Sequence, residues 1–444
     1  MRIRARTTHA FTNRAAASSE RLNLWLSSAI VVVGLGCAFS IHAQNPAVDL
    51  CTGLVTDKSP RPKAAVSRPA KGVAFKDAAF GTRVLRITDV RADFGKEIIR
   101  PMYSTIPAWN IDESRLVLWI RDKGHALFDG RTYAFLGMLD VDPSDIEQLY
   151  WDAKDPDLLW YNVSAEEGDR SLRQLTHYRV SSGEKTVIYN YPSAGRPRAS
   201  NVDNGGDPQY PSWDMALWGV RVELRGDAGS EKFAFSLPAK KEGKRVANDG
   251  ATPQACPSGG CMWVPEKRGS RVIEPRTMQT VRQLKLWGDE HGNLGRNAAG
   301  EDFFAAVQFD SNPAGTLIVE NLQTGEVKPI VSPANGYPYP PSGTHISAVA
   351  FRARGWVAVS IVGKPEGKQV LHQELLLANV DSGRVCRIAH HHSFGKNGRF
   401  DYWAEPHVTI SPSGTRVVFA SDWDNGNSVD TYVVELPAYK PPTR

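Results

Sequence analysis

Beyond residue 43 the chain has no long stretch with the period of an amphipathic helix, which excludes a helical bundle and any fold that alternates strands with helices. It has no Gly-x-Ser-x-Gly elbow, no glycine-rich phosphate loop ahead of a helix and no His-Glu-x-x-His pair. The serine-hydrolase, nucleotide-binding and zinc-protease classes lose their motifs with them. No α/β segment that would make a peptidase is appended. Basic runs are missing too, and with them the footprint of a nucleic-acid partner. Cysteine is scarce, five in 444 residues. The four beyond residue 43 suit an exported protein.

What is present begins with an address. Residues 1 to 21 hold five arginines and one glutamate, followed by the apolar segment Leu22 to Ala43. That order reads as a signal peptide with Ala43 before the cut. An uncleaved anchor is the alternative, and would be the chain's only link to a membrane. Lipidation of Cys37 is a third option, although Gly34 stands where a lipobox has Leu. Removing residues 1 to 43 takes the net charge from +5 to +1, so the basic balance belongs largely to the address. Residues 44 to 70, rich in Pro, Ser and basic side chains, read as a linker or surface arm. Cys256-Pro-Ser-Gly-Gly-Cys261 brackets a tight turn and predicts a local disulfide rather than a zinc site, which would need more ligands nearby.

From residue 71 to 437 the chain repeats a loose unit of about 40 to 55 residues, the period of propeller blades. The last copy is the plainest: His407 to Ile410, the turn Ser411-Pro412-Ser413-Gly414, the apolar run Thr415 to Ala420, and a third strand from Thr431 to Leu436. Three short strands cannot bury both faces of their sheet alone, so copies must stack. This copy lacks a fourth strand, and Arg83 to Asp89 stands before the first blade with no sheet of its own. Pairing the two closes a ring and removes free edges. The fold class is therefore all-β, a single seven-bladed β-propeller closed by an N-terminal strand. Six or eight blades are the alternatives, because the copy around Met262 to Trp287 is irregular. Residues 438 to 444 form a short tail.

Ile410-Ser411-Pro412-Ser413-Gly414-Thr415-Arg416-Val417-Val418-Phe419-Ala420-Ser421-Asp422 resembles the repeat of TolB-type propellers. The series His291, His345, His390-His391-His392 and Trp403-x-x-Pro406-His407 resembles, more narrowly, periplasmic oligogalacturonate-lyase-like propellers. That resemblance implies a periplasmic or secreted protein acting on a polysaccharide or oligosaccharide. It also implies a divalent ion, manganese or calcium, at the channel mouth. The closely spaced Gln and His expected near the last blade are replaced here by Glu405-Pro406-His407.

Geometry points to the same histidines. Innermost strands of a propeller all start at one face, so residues at those starts converge on one mouth. His291, His345 and His407 hold that place, with Arg100, Tyr103, Asp207 and Gln209 in other blades. Three imidazoles with Glu405 form a metal-ligand set, and His291 or His345 could instead supply a base. Arg100 would neutralise a substrate carboxylate. Tyr103, Gln209, Tyr402 and Trp403 are expected to contact a sugar, as are His391 and His392 if their loop leans over the mouth. His125, His177 and His372, and most tryptophans, are expected to serve packing. Three readings follow: a polysaccharide lyase acting by β-elimination, a non-catalytic binding propeller for a protein or glycan, and a glycoside hydrolase using Asp207, Glu290 and Glu405.

Overall fold

The computed structural model describes residues 49 to 441, apart from 165–172, 192–198, 225–228, 249, 310–312 and 342. The expected signal segment and the last three residues lie outside the described residues. Seven antiparallel sheets follow one another along the chain. Blade 1 carries Arg115–Ile120, Gly124–Asp129 and Phe135–Met138 outside its inner edge, and blade 2 runs from Tyr150–Trp151 to Glu184–Asn190. Blade 3 starts at Ala199–Asp203, blade 4 at Gln254–Ala255, blade 5 at Gly292–Arg296 and blade 6 at Thr344–Ser347. Blade 7 holds Thr409–Ile410, Arg416–Ser421 and Asp430–Glu435. The irregular fourth blade is a complete sheet of four short strands.

The closing strand takes the expected place. Arg83–Arg86 pairs antiparallel with Asp430–Glu435, Val84 opposite Val434 and Leu85 opposite Val433, and Ala74–Lys76 adds a fifth strand outside it. Charged groups fix this seam. Arg86 Nη2 reaches Asp430 at 2.9 Å, and the same carboxylate accepts from the Val90 amide at 2.8 Å and the Thr88 hydroxyl at 3.2 Å. A buried carboxylate with several donors and a cation is well compensated.

Stacking explains the burial. All six residues of Trp356–Ile361, and all six of Glu374–Asn379, are buried, because both faces of an inner or middle strand meet a neighbouring blade. Outer strands are freer; Phe135, Leu136 and Met138 are exposed on the edge of blade 1. The Ser411 to Gly414 turn closes with Gly414 N donating to Ser411 O at 2.8 Å. Gly414 has φ +75°, and a Cβ there would come within 2.6 Å of Leu50, so both conformation and space require glycine.

Two inner strands depart from the expected parse. In blade 1, Arg100 pairs with Trp119 and Trp109 with Leu116, so the segment between them leaves the ladder as a loop. In blade 3 the inner strand is Ala199–Asp203; Asp207 to Trp213, expected to open the blade, follows it as a second such loop. These loops meet: Thr105 Oγ1 donates to Pro208 O at 2.5 Å, and Tyr103 Oη to Asp207 Oδ1 at 3.3 Å.

The segment expected as a linker or surface arm is an arm folded against blades 6 and 7. Val55 bridges Arg387, Lys63 N donates to Gly367 O at 2.8 Å, and Arg68 reaches the carbonyls of Asp422 and Ser428. Cys51 is bonded to Cys386, a pair 335 residues apart that no local spacing announces. Cys256 and Cys261 are bonded to each other, with Cα atoms 5.2 Å apart.

Candidate metal centre

The short strands at the centre of the ring bring His291, His345 and His407 together. His345 lies within Thr344–Ser347, His291 directly precedes Gly292–Arg296, and His407 precedes Thr409–Ile410. The rings of His291 and His345 stack at 4.6 Å, and those of His345 and His407 lie 4.4 Å apart. His407 has φ +43°, a region disfavoured for a non-glycine residue and common at functional sites. Glu405 completes the group, with its Oε2 3.7 Å from His345 Nε2.

Hydrogen bonding assigns the ring nitrogens. His407 Nδ1 lies 2.7 Å from Glu405 O, and His291 Nδ1 2.8 Å from Thr344 O. A carbonyl only accepts, so each Nδ1 carries the proton and each Nε2 keeps its lone pair. Within the cluster His407 Nε2, both nitrogens of His345 and both oxygens of Glu405 are buried without a hydrogen-bond partner. Such groups cost free energy unless something satisfies them. One donor atom each from His345, Glu405 and His407 fall within 4.8 Å of one another. The residues present therefore fit a divalent cation. Burial, then the charges around them, holds His345 and His407 well below the ordinary imidazole range, leaving them neutral as ligands must be. Burial raises the Glu405 carboxyl, with Lys396 opposing.

Around this group the expected residues divide. Tyr103 sets its ring 5.6 Å from those of both His345 and His407. Tyr402 packs on His407 at 4.8 Å. Trp403 is stacked on Trp119 at 5.3 Å, so one of its faces is already covered. Arg100 is fully buried, with its guanidinium 5.2 Å from the Trp403 ring and 5.6 Å from that of Tyr402. Its charge reaches the site from behind these rings rather than by open contact. Gln209 has its amide spent on blade 5: its Oε1 accepts from Asn293 Nδ2 at 2.8 Å and Leu294 N at 2.9 Å, and its Nε2 donates to Gly292 O at 3.2 Å. It stitches blades rather than presenting an amide to a sugar.

His391 and His392 do not lean over the mouth. His391 Nε2 bonds Ile361 O at 2.9 Å while its Nδ1 accepts from Ser393 N. His392 stacks on Trp423 at 4.3 Å and bonds Asp424 at 3.1 Å.

Two charged residues had no signal in the sequence. Glu147, in the loop before blade 2, accepts from Tyr402 Oη at 3.3 Å and lies 3.5 Å from Arg100 Nη2. Burial pushes its carboxyl up to about 7, with Arg100 opposing. Lys396 comes from the loop between blades 6 and 7, its Nζ 3.9 Å from Glu405 Oε1. A cavity of about 470 Å³ adjoins the His291 side, lined among others by Tyr103, Asp207, Trp263, Lys267 and His291. That volume suits a small ligand.

The fold is that of a seven-bladed β-propeller. Solved structures with a similar fold include an oligogalacturonate lyase in complex with manganese (15% identity, TM-score 0.57, covering 83% of this chain and 99% of that one) and an oligogalacturonate lyase from Vibrio parahaemolyticus (13% identity, TM-score 0.57, covering 84% and 100%). No protein-family model matches the chain, and a search of curated proteins returns no relative.

Proposed function

We propose that the protein is a metal-dependent polysaccharide lyase-like enzyme of the periplasm or cell exterior, acting on uronate-containing glycans by β-elimination. One observation carries this reading: the unpartnered donors of His345, Glu405 and His407 converge beside His291, which also lines a sugar-sized cavity. Two imidazoles and a carboxylate suit a first-row ion such as manganese better than calcium, which prefers oxygen ligands. Held there, the ion supplies Lewis acidity toward a substrate carboxylate and makes the adjacent C–H more acidic.

The protein's own groups do the rest. His291, with Nδ1–H tied to Thr344 O, presents the Nε2 lone pair that takes the proton from the carbon next to the carboxylate. The electron pair released forms the ring double bond as the glycosidic C–O bond breaks, and the departing oxygen takes a proton from solvent. Arg100 adds positive charge from beneath Tyr402 and Trp403. Tyr103, held by Asp207, walls the side toward the cavity. In this reading Glu405, buried with its Oε2 3.7 Å from His345 Nε2, serves the metal rather than a carboxylate pair for hydrolysis. The apolar segment 22–43 and the two disulfides favour an exported protein.

Metal analysis of the purified protein, combined with ultraviolet absorbance of the unsaturated product on a panel of uronate polymers, tests this. Bound metal with a new absorbance supports the lyase. Metal or glycan binding without cleavage would instead favour a non-catalytic binding propeller.

A further inference from the structure

Glu405 is 1% exposed and neither of its oxygens accepts a hydrogen bond. A desolvated carboxylate in that state needs a counter-charge. Among the described residues the lysine or arginine within 4.0 Å of it is Lys396, with Nζ 3.9 Å from Oε1, too long for a hydrogen bond and open to exchange. Lys396 lies on the 3-10 turn Gly395–Asn397. The turn presses on Glu405 because position 395 is glycine: φ is +49°, and a Cβ there would lie 3.2 Å from Glu405 Cγ. The backbone of this loop is anchored, with Phe394 N donating to Asp422 Oδ1 at 3.0 Å and Gly398 N to Gly395 O at 2.9 Å. The lysine side chain is 64% exposed, so its flexible stem can swing about a fixed root.

We infer that Lys396 is an exchangeable counter-ion: it neutralises Glu405 while the site is free of metal, is displaced when a divalent cation takes that carboxylate, and then binds the acid group of the incoming glycan. The exchange follows from charge alone, since a divalent ion held by three donors outcompetes one loosely paired ammonium. The second half rests on the uronate reading above. It makes Lys396 a determinant of specificity for acidic over neutral sugars.

The test measures manganese(II) binding by calorimetry on metal-stripped wild type, Lys396→Gln and Lys396→Arg. Because the lysine is exposed, the fold tolerates both changes. Lys396→Gln should bind manganese about two- to five-fold more tightly, the effect expected of removing one exposed competing charge, and Lys396→Arg should match wild type. Unchanged or weaker manganese binding in Lys396→Gln overturns the exchange. With manganese present, a uronate trisaccharide should bind Lys396→Gln roughly five- to ten-fold more weakly than wild type, as for one lost exposed ion pair strengthened by a second contact. A neutral trisaccharide should not distinguish the two proteins. Equal uronate affinity in both overturns the capture step. If wild type binds no uronate at all, the capture step falls together with the functional reading, while the manganese comparison still decides the exchange.

Discussion

The run His390-His391-His392 and the cluster around His345 and His407 are buried alike, between 0% and 2% exposed, yet their chemistry differs. His391 has both ring nitrogens committed, one to Ile361 O and the other to Ser393 N. His392 is held by Asp424 and the face of Trp423, and His390 packs on the Phe80 ring at 4.8 Å beside Asp77; its Nε2 is also buried without a partner, but among the described residues it joins no group of donors that could hold a metal. At the mouth, by contrast, the nitrogens of His345 and the Nε2 of His407 have no partner, and a carboxylate in the same condition faces them. Burial and histidine content therefore do not distinguish a binding site from a structural one. Unspent lone pairs pointing at a common volume do.

Substitution should separate the two regions most sharply through metal binding. His345→Ala or His407→Ala should lower manganese affinity by more than the roughly 10- to 100-fold typical of a supporting residue, while His391→Ala should leave it within about two-fold. Calorimetry that reversed this order would break the comparison.

Stability should show the opposite pattern. Cys386 shares the strand Val385–His390 with His390 and ties it to Cys51. Replacing both cysteines by serine should cost about 2–4 kcal/mol in denaturant unfolding, with manganese affinity preserved. His391→Ala should cost about 1–3 kcal/mol, since it strands the Ile361 carbonyl and the Ser393 amide.

The smallest effect is a pair of opposed pH slopes. Burial lowers His390 to about 4 and His391 to about 3. An unfolded chain takes up these protons near the ordinary 6.5, so the native state loses stability as pH falls from about 6.5 to about 4 for His390 and about 3 for His391. Glu147 runs the other way. Its folded carboxyl, raised to about 7 from 4.5, keeps a proton the unfolded chain has lost, so its contribution weakens as pH rises from about 4.5 to 7. Melting curves of His391→Gln should flatten the acid limb by a few degrees, and those of Glu147→Gln the limb toward neutrality. Parallel curves for wild type and both variants would remove this distinction.

The blade period and the closing strand were legible because each depends on local patterning: apolar alternation, the Ser411 to Gly414 turn, and a strand left over at each end of the repeat. The convergence of His291, His345 and His407 followed from strand starts alone. The loops that interrupt the inner strands of blades 1 and 3 were not legible, since Tyr103 and Asp207 sit in segments whose composition also suits a strand start. Nor did position reveal that Gln209 would spend its amide on Asn293 and Leu294. His391 and His392 misled for a related reason: a sequence shows that a histidine is near a loop, and not which carbonyl or ring waits on the other side. Glu147 and Lys396 reach the site from loops of two other parts of the ring, with no motif around them.

The ring's closure also sets an order of assembly. Arg83 and Glu435 face each other across the seam, 352 residues apart in the chain, so the first strand of the propeller must wait for nearly the last. Until then blade 7 is incomplete, and both members of the missing pair present open strand edges during synthesis. Contacts this distant in sequence form slowly, and open edges invite pairing with other chains. Release of the newly made chain before residues 430 to 435 emerge would leave an aggregation-prone intermediate, and a factor that shields Arg83 to Arg86 during that interval would raise the yield of closed rings.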